Sequence, residues 1–190
     1  MKEIYQRIRD LAIPYLSKVK RKNYVLHTET VTLAMELILE KEKGNPDILI
    51  PAALCHDLGW YDVPLKYQKP ILSKEDKIEG LKLHIKYNPS LTRNVLDQVG
   101  YSKNKIEKII EIIQAHKFVE PDTLEKKLLI DADTLSDVFK DQLYADAKAY
   151  QRTPREMLEF RSQNKYHTQT ANEIFQRELK SREREINGKK

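Results

Sequence analysis

The stretch Ile48–Trp60, Ile-Leu-Ile-Pro-Ala-Ala-Leu-Cys-His-Asp-Leu-Gly-Trp, constrains the fold of this 190-residue chain more than any other. Residues 48–55 are apolar on every side, and a helix apolar all round belongs at the centre of a domain. Pro51 falls within the opening turns, where a missing N–H is tolerated. Gly44-Asn45-Pro46 marks the restart before it, and Asp47 sits where a carboxylate meets the positive end of the helix dipole. The helix then ends on two strong ligand groups, His56 and Asp57, with Gly59 close behind. Packing alone gives no reason to put both at the end of a buried helix. A metal site does, provided other segments supply the remaining ligands.

The flanking segments read as helices. Residues 1–22 predict a helix, kinked or split at Pro14, that ends in the basic cluster Lys18, Lys20, Arg21 and Lys22, read as a solvated helix end. In residues 24–43, Leu26, Thr30, Leu33 and Leu37 share one stripe and His27, Val31, Ala34 and Ile38 the adjacent one, so His27 lies at the edge of the apolar face. Residues 58–72 predict a loop punctuated by Gly59, Asp62, Pro64 and Pro70, and a loop of this length is often functional. Lys66 and Lys69 lie within it and read first as surface lysines, with reach to an anion at the site as the alternative.

Ser73 caps a helix running to about Tyr87, and a separate short helix spans Pro89–Val99, closed by Gly100. Ser102 caps the next, striped by Ile106, Ile109, Ile110 and Ile113, with His116 continuing the stripe. Leu124, Leu128 and Leu135 mark a further helix that carries Asp131 and Asp133 in its middle. Two carboxylates there are costly to bury without charged partners. Residues 141–186 predict three more helices, broken near Thr153-Pro154 and Asn164, and the last six residues fray. No alternating run is long enough for a sheet. The expected fold is therefore all-α, a single domain over residues 1–190, with the site in a core region of about 24–140.

Composition narrows the function. No apolar run approaches the ~20 residues of a membrane span, the N-terminus lacks a secretory layout, and Cys55 is the single cysteine, which together predict a cytoplasmic protein. The net charge of +5 comes from basic residues mixed with acidic ones, so nucleic acid is not demanded as a partner and small anionic substrates suit it. There is no Gly-x-Ser-x-Gly elbow and no Gly-rich phosphate loop. Cys55 and His56 are adjacent on one helix and project apart, so Cys55 reads as core.

What remains is His27, His56-Asp57 and the Asp131/Asp133 pair: two imidazoles and two carboxylates, four N/O ligands with the charge to neutralise a divalent cation. The order His…His-Asp…Asp resembles the HD-domain superfamily of metal-dependent phosphohydrolases. The resemblance is carried by Leu26-His27-Thr28, by Ala52-Ala53-Leu54-Cys55-His56-Asp57-Leu58-Gly59 and by Asp131-Ala132-Asp133-Thr134-Leu135. It implies an HD-type helical bundle in which His27, His56, Asp57 and Asp133 hold one divalent metal ion (Mn, Fe, Co, Ni, Mg or Zn). The Asp-x-Leu context favours Asp133 over Asp131 as the last ligand. Asp57 is then at the catalytic centre, and Asp131 is a candidate to orient the attacking water.

Binuclear members of the superfamily carry a His-Pro before one helix and another histidine after an Ile-rich one. Here Asn88 precedes Pro89, while His116 follows Ile-Ile-Gln-Ala and His84 lies one turn before Asn88. The departure favours one metal over two and assigns His84, His116, Lys117 and Lys69 to the substrate side. The absence of a Gly-Tyr-Pro signature argues against cyclic dinucleotides. The resemblance thus implies hydrolysis of a small phosphorylated substrate, a nucleotide foremost; composition and charge speak against a membrane or nucleic-acid partner, and a homodimer stays open. Two other classes stay open: a non-catalytic nucleotide- or metal-binding regulator, and a di-iron oxygenase that needs His84 and His116 as iron ligands.

Overall fold

The computed structural model describes residues 2–20, 23–69 and 71–188, and the architecture is all-α, with no strand among them. Arg21, Lys22, Pro70 and the last two of the six C-terminal residues expected to fray lie outside the described residues; of the other four, Glu185, Ile186 and Asn187 are the end of the last helix, contrary to that expectation.

The apolar stretch forms helix α3, Pro46–Cys55, with Pro46 at its first position and the Asn45 side chain accepting from the Asp47 N–H. Every residue from Ile48 to Cys55 is buried. Around it pack α1 (Glu3–Leu16), α2 (Tyr24–Leu39), α5 (Lys103–Gln114) and α6 (Leu124–Ser136). Tyr5 and Lys2 both donate to Asp47 Oδ1, at 2.5 and 2.8 Å, and fix α1 to the start of α3.

Three details differ from the sequence expectation. Helix α1 stops at Leu16, short of the basic cluster, and carries Pro14 in its last turn without splitting. On α2 the stripe of Val31, Ala34, Met35 and Ile38 is the buried one, whereas Leu33 is 47% exposed. Third, residues 74–98 form a single helix, α4, that continues through Pro89. A proline inside a helix costs about 3 kcal/mol. Here His84, Asn88, Thr92, Val95 and Leu96 form a buried stripe across the break, and that tertiary packing holds the two halves in line.

Between α3 and α4 the predicted loop is ordered into short 3-10 turns at Leu58–Asp62 and Leu65–Tyr67. The first lies directly on α4. A Cβ on Gly59 would stand 2.1 Å from the His84 carbonyl oxygen and 2.9 Å from the Asn88 nitrogen, so only glycine permits this approach.

The chain closes with α7 (Lys140–Ala149), α8 (Pro154–Arg161) and α9 (Gln169–Asn187). Ala171, Ile174 and Phe175 of α9 join the main core. Leu143, Ala147, Met157 and Leu158 form a second, small cluster under α7 and α8.

Candidate metal centre

Two helix ends aim the central histidines by the same device. The last carbonyls of a helix have no intrahelical partner. His56, just past α3, donates from Nδ1 to the Ala53 carbonyl at 2.7 Å, and His116, just past α5, donates from Nδ1 to the Ile113 carbonyl. With Nδ1 carrying the proton, each Nε2 presents a lone pair, the tautomer that binds metals. His27, in the first turn of α2, has its Nδ1 3.3 Å from Ser136 Oγ, whose own proton goes to the Asp133 carbonyl. Trp60 stacks on the His84 ring, 5.0 Å between centroids and 12° from parallel.

The four Nε2 atoms converge on Asp57. Its Oδ2 lies 3.5 Å from both His27 and His56, and its Oδ1 lies 3.5 Å from His84. His84 and His116 approach each other to 3.3 Å through Nε2. Asp133 Oδ1, from α6, is 3.1 Å from His27 and 3.7 Å from His56, while Lys117 holds its Oδ2 at 2.5 Å. Two triads, His27–His56–Asp57 and Asp57–His84–His116, each have ligand atoms close enough together to hold one ion. They share Asp57, which turns one oxygen to each.

The electrostatics fit a cation. Burial opposes ionisation of Asp57, but His56, His27 and His84 prevail and hold its carboxyl well below the usual carboxylate range. Asp133 is likewise held low against its burial, chiefly by Lys117 and the hydrogen bond from His27. Burial brings His84 down to about 4 and pushes His116 well below the ordinary histidine value, so both are neutral donors at pH 7. Burial also works against a charged His27, yet the hydrogen bond to Asp133 and the charges of Asp57 and Asp133 raise its pKa. The cluster draws positive charge to itself; a divalent ion satisfies the same pull and displaces the proton. Neutral imidazoles with ionised carboxylates form a suitable donor set for such an ion.

The structure brings His27, His56, Asp57 and Asp133 together, and His84 and His116 with them. His84 and His116 are buried against Asp57 and do not line the adjoining cavity, contrary to a place on the substrate side. Asp131 is a correction. Two residues along a helix project about 200° apart, and Asp131 faces away from Asp133, accepting from the His167 and Thr168 N–H groups and the Thr168 hydroxyl at 2.7–2.8 Å. It anchors the start of α9. Cys55 is fully buried, and burial pushes its thiol far up, so it supplies no thiolate.

Sequence reasoning took Asn88 only as a departure from an expected histidine and missed its positioning role. Fully buried, it donates from Nδ2 to the Cys55 and His56 carbonyls at 2.8 and 2.7 Å and accepts from Thr92 at 2.7 Å. The residue that replaces an expected histidine ties the end of α3 to α4 and positions His56. Its spacing of four from His84 was the available signal.

A cavity of about 250 Å3 opens beside the cluster, bounded by His27, Asp57, Asp133 and Lys117 on one side. Through Tyr24, Trp60, Lys77, Leu81 and Tyr150 it continues into a second of about 410 Å3, where Lys69 lies. Lys69 is thus set back from the cluster, and Lys117 is the lysine beside it. A family model described as the HD domain matches residues 24–137, more than half of the chain. No curated protein and no solved structure matches it.

Proposed function

The chain belongs to the HD-domain family, a family of metal-dependent phosphohydrolases, and from that premise we propose that it hydrolyses a small phosphate ester at the Asp57 cluster. The observation that carries this reading is the set of inward-facing Nε2 atoms gathered around a carboxylate that turns one oxygen to each triad. His27, His56, Asp57 and Asp133 would hold one divalent ion. His84 and His116, with the other oxygen of Asp57, would hold a second, a revision of the single ion expected from sequence. Such ions supply Lewis acidity to a phosphoryl group and a means of activating water at neutral pH.

The protein's own groups do the rest. Lys117 orients Asp133 and brings a cation to the cavity wall, where it faces the charge on the phosphoryl oxygens. Its pKa is raised, because Asp133 and Asp57 outweigh its burial, so it stays protonated. Lys77, at the junction of the two cavities, provides a second positive charge. Trp60 fixes the His84 ring and closes the cluster on that side.

The grouping of His84 and His116 with Asp57 also favours a second reading, a di-iron oxygenase on the same scaffold. Iron content with an optical band, and oxygen uptake, would mark that chemistry; the lysines in the cavity favour phosphate.

The test is phosphate release from nucleoside mono-, di- and triphosphates and an aryl phosphate with Mn, Co, Ni or Mg, in wild type and Asp57→Ala. Metal-dependent release that Asp57→Ala loses is expected. Equal release from the variant overturns the site, and release from no substrate moves the protein to the regulatory class.

A further inference from the structure

The far wall of the first cavity is built mainly by α7 and α8, which lie beyond residues 24–137, with Asp137 at the end of α6 and Asn23 before α2. Arg161, the last residue of α8, binds Asp137 Oδ2 through one terminal nitrogen at 2.7 Å and Asp146 Oδ2 through the other at 2.8 Å. Asp146 Oδ1 accepts from Gln142 Nε2 at 2.9 Å and from Asn23 Nδ2 at 3.2 Å. That carboxylate fixes the Gln142 amide: turned over, it would set oxygen against oxygen.

The other end of the amide, Gln142 Oε1, is buried with no hydrogen-bond partner, and so is Arg161 Nε. Gln142 is only 1% exposed, and both side chains line the cavity. Buried polar atoms are almost always paired, so an acceptor and a donor left over in one cavity wall point to a ligand group that serves both. A hydroxyl does, since it carries one O–H donor and two lone pairs. Among the described residues this wall sets two carboxylates around one guanidinium, which favours a neutral group over an anionic one.

We propose that this wall binds the alcohol half of the substrate through a hydroxyl group, which donates to Gln142 Oε1 and accepts from Arg161 Nε. The substrate class is then a monophosphate ester of a hydroxylated alcohol, with the phosphate at the Asp57 cluster and the hydroxyls against α7 and α8. The inference rests on the phosphohydrolase reading. It makes Gln142 and Arg161 specificity residues, set apart from the metal ligands.

The experiment compares kcat/KM for ribose 5-phosphate and for pentyl phosphate, an ester of similar length without hydroxyls, in the presence of Mn2+. A site built to pair a hydroxyl discriminates strongly against an analogue that lacks it. The wild type is expected to prefer ribose 5-phosphate by about tenfold or more. Gln142→Met and Arg161→Lys, each checked for folding by circular dichroism, are expected to erase most of that preference, chiefly through KM for the ribose ester. Equal kcat/KM for both esters in the wild type, or an unchanged ratio in folded variants, overturns the inference. If the variants fail to fold, the wild-type comparison decides alone. Release from an aryl phosphate but from neither of these esters overturns the inference and leaves the hydrolase reading standing; release from no ester overturns both.

Discussion

One cavity joins two clusters that each pair a buried aspartate with a half-buried one, Asp57 with Asp133 and Asp146 with Asp137, and the protein has balanced them in opposite ways. At the far wall, Asp137 and Asp146 share Arg161, whose guanidinium reaches both carboxylates at once. A planar fork with a permanent charge is the residue for a cation that stays. At the near wall, Asp57 and Asp133 are surrounded by imidazoles, and Lys117 reaches only the outer oxygen of Asp133. Three of these four imidazoles are aimed there by an anchored ring nitrogen or a stacked indole, His56, His116 and His84. The difference separates a structural ion pair from a site shaped for an exchangeable cation. Carboxylate number alone does not distinguish them; the donors around the carboxylates do.

The sharpest way to break this comparison is at Asp57, the one residue common to both triads. Asp57→Asn keeps the shape and removes the charge. It should reduce metal-dependent kcat/KM by well over the roughly 100-fold typical of losing a group behind the ligands. Phosphate-release kinetics with Mn2+ would show it, and a loss under tenfold would place the chemistry elsewhere.

The next effect is on stability. Arg161→Met removes the guanidinium that Asp137 and Asp146 share and should destabilise the fold by about 3–5 kcal/mol, the usual result of removing one partner of a buried ion pair. Lys117→Met removes the cation from the other cluster. In urea titrations, Mn2+ should narrow the gap between Lys117→Met and wild type while leaving the Arg161→Met gap as it was. Equal responses in the two variants would erase the distinction between the clusters.

A smaller effect separates Asp131 from Asp133. Asp131→Asn weakens three hydrogen bonds at the start of α9 and should cost roughly 1–3 kcal/mol in thermal or urea unfolding. Metal-dependent activity should survive. Loss of activity in a folded Asp131→Asn protein would return Asp131 to the site.

The smallest effect is a pH dependence at the far wall. Burial pushes Asp137 up to about 6, even with Arg161 beside it. A carboxyl raised on folding contributes stability that is present below its unfolded pKa, near 4, and lost as pH rises toward 6. Asp137→Asn should therefore become more stable relative to wild type as pH goes from 4 to 6, with little further change above. A flat difference across that range would remove Asp137 from the account.

Much of the near wall was legible in the sequence because its ligands punctuate apolar helices. His27 beside the stripe of α2, His56-Asp57 ending α3 and Asp133 inside α6 all interrupt hydrophobic periodicity, and such interruptions need a reason. The rest was hidden for physical causes. The Asp-x-Leu context favours Asp133 as a ligand, but only the packing of α9 shows that Asp131 is taken up by the His167 and Thr168 N–H groups. Pro89 signals a break that burial of Asn88 and Thr92 overrides. Asn88 itself looks like a lost ligand until its bonds to the end of α3 are seen. Gln142, Asp146 and Arg161 lie in polar helices with no apolar interruption to notice, and their burial exists only after α7 and α8 fold against each other.

The central claim, a cation site at Asp57, can be tested without any substrate. Trp60 is the chain's only tryptophan and stacks on His84, so a paramagnetic ion bound at the cluster should quench its fluorescence. Titration with Co2+ should give saturable quenching in wild type and in Asp131→Asn, and none in Asp57→Ala. Saturable quenching that persists in folded Asp57→Ala, or its absence from the wild type, would contradict the account.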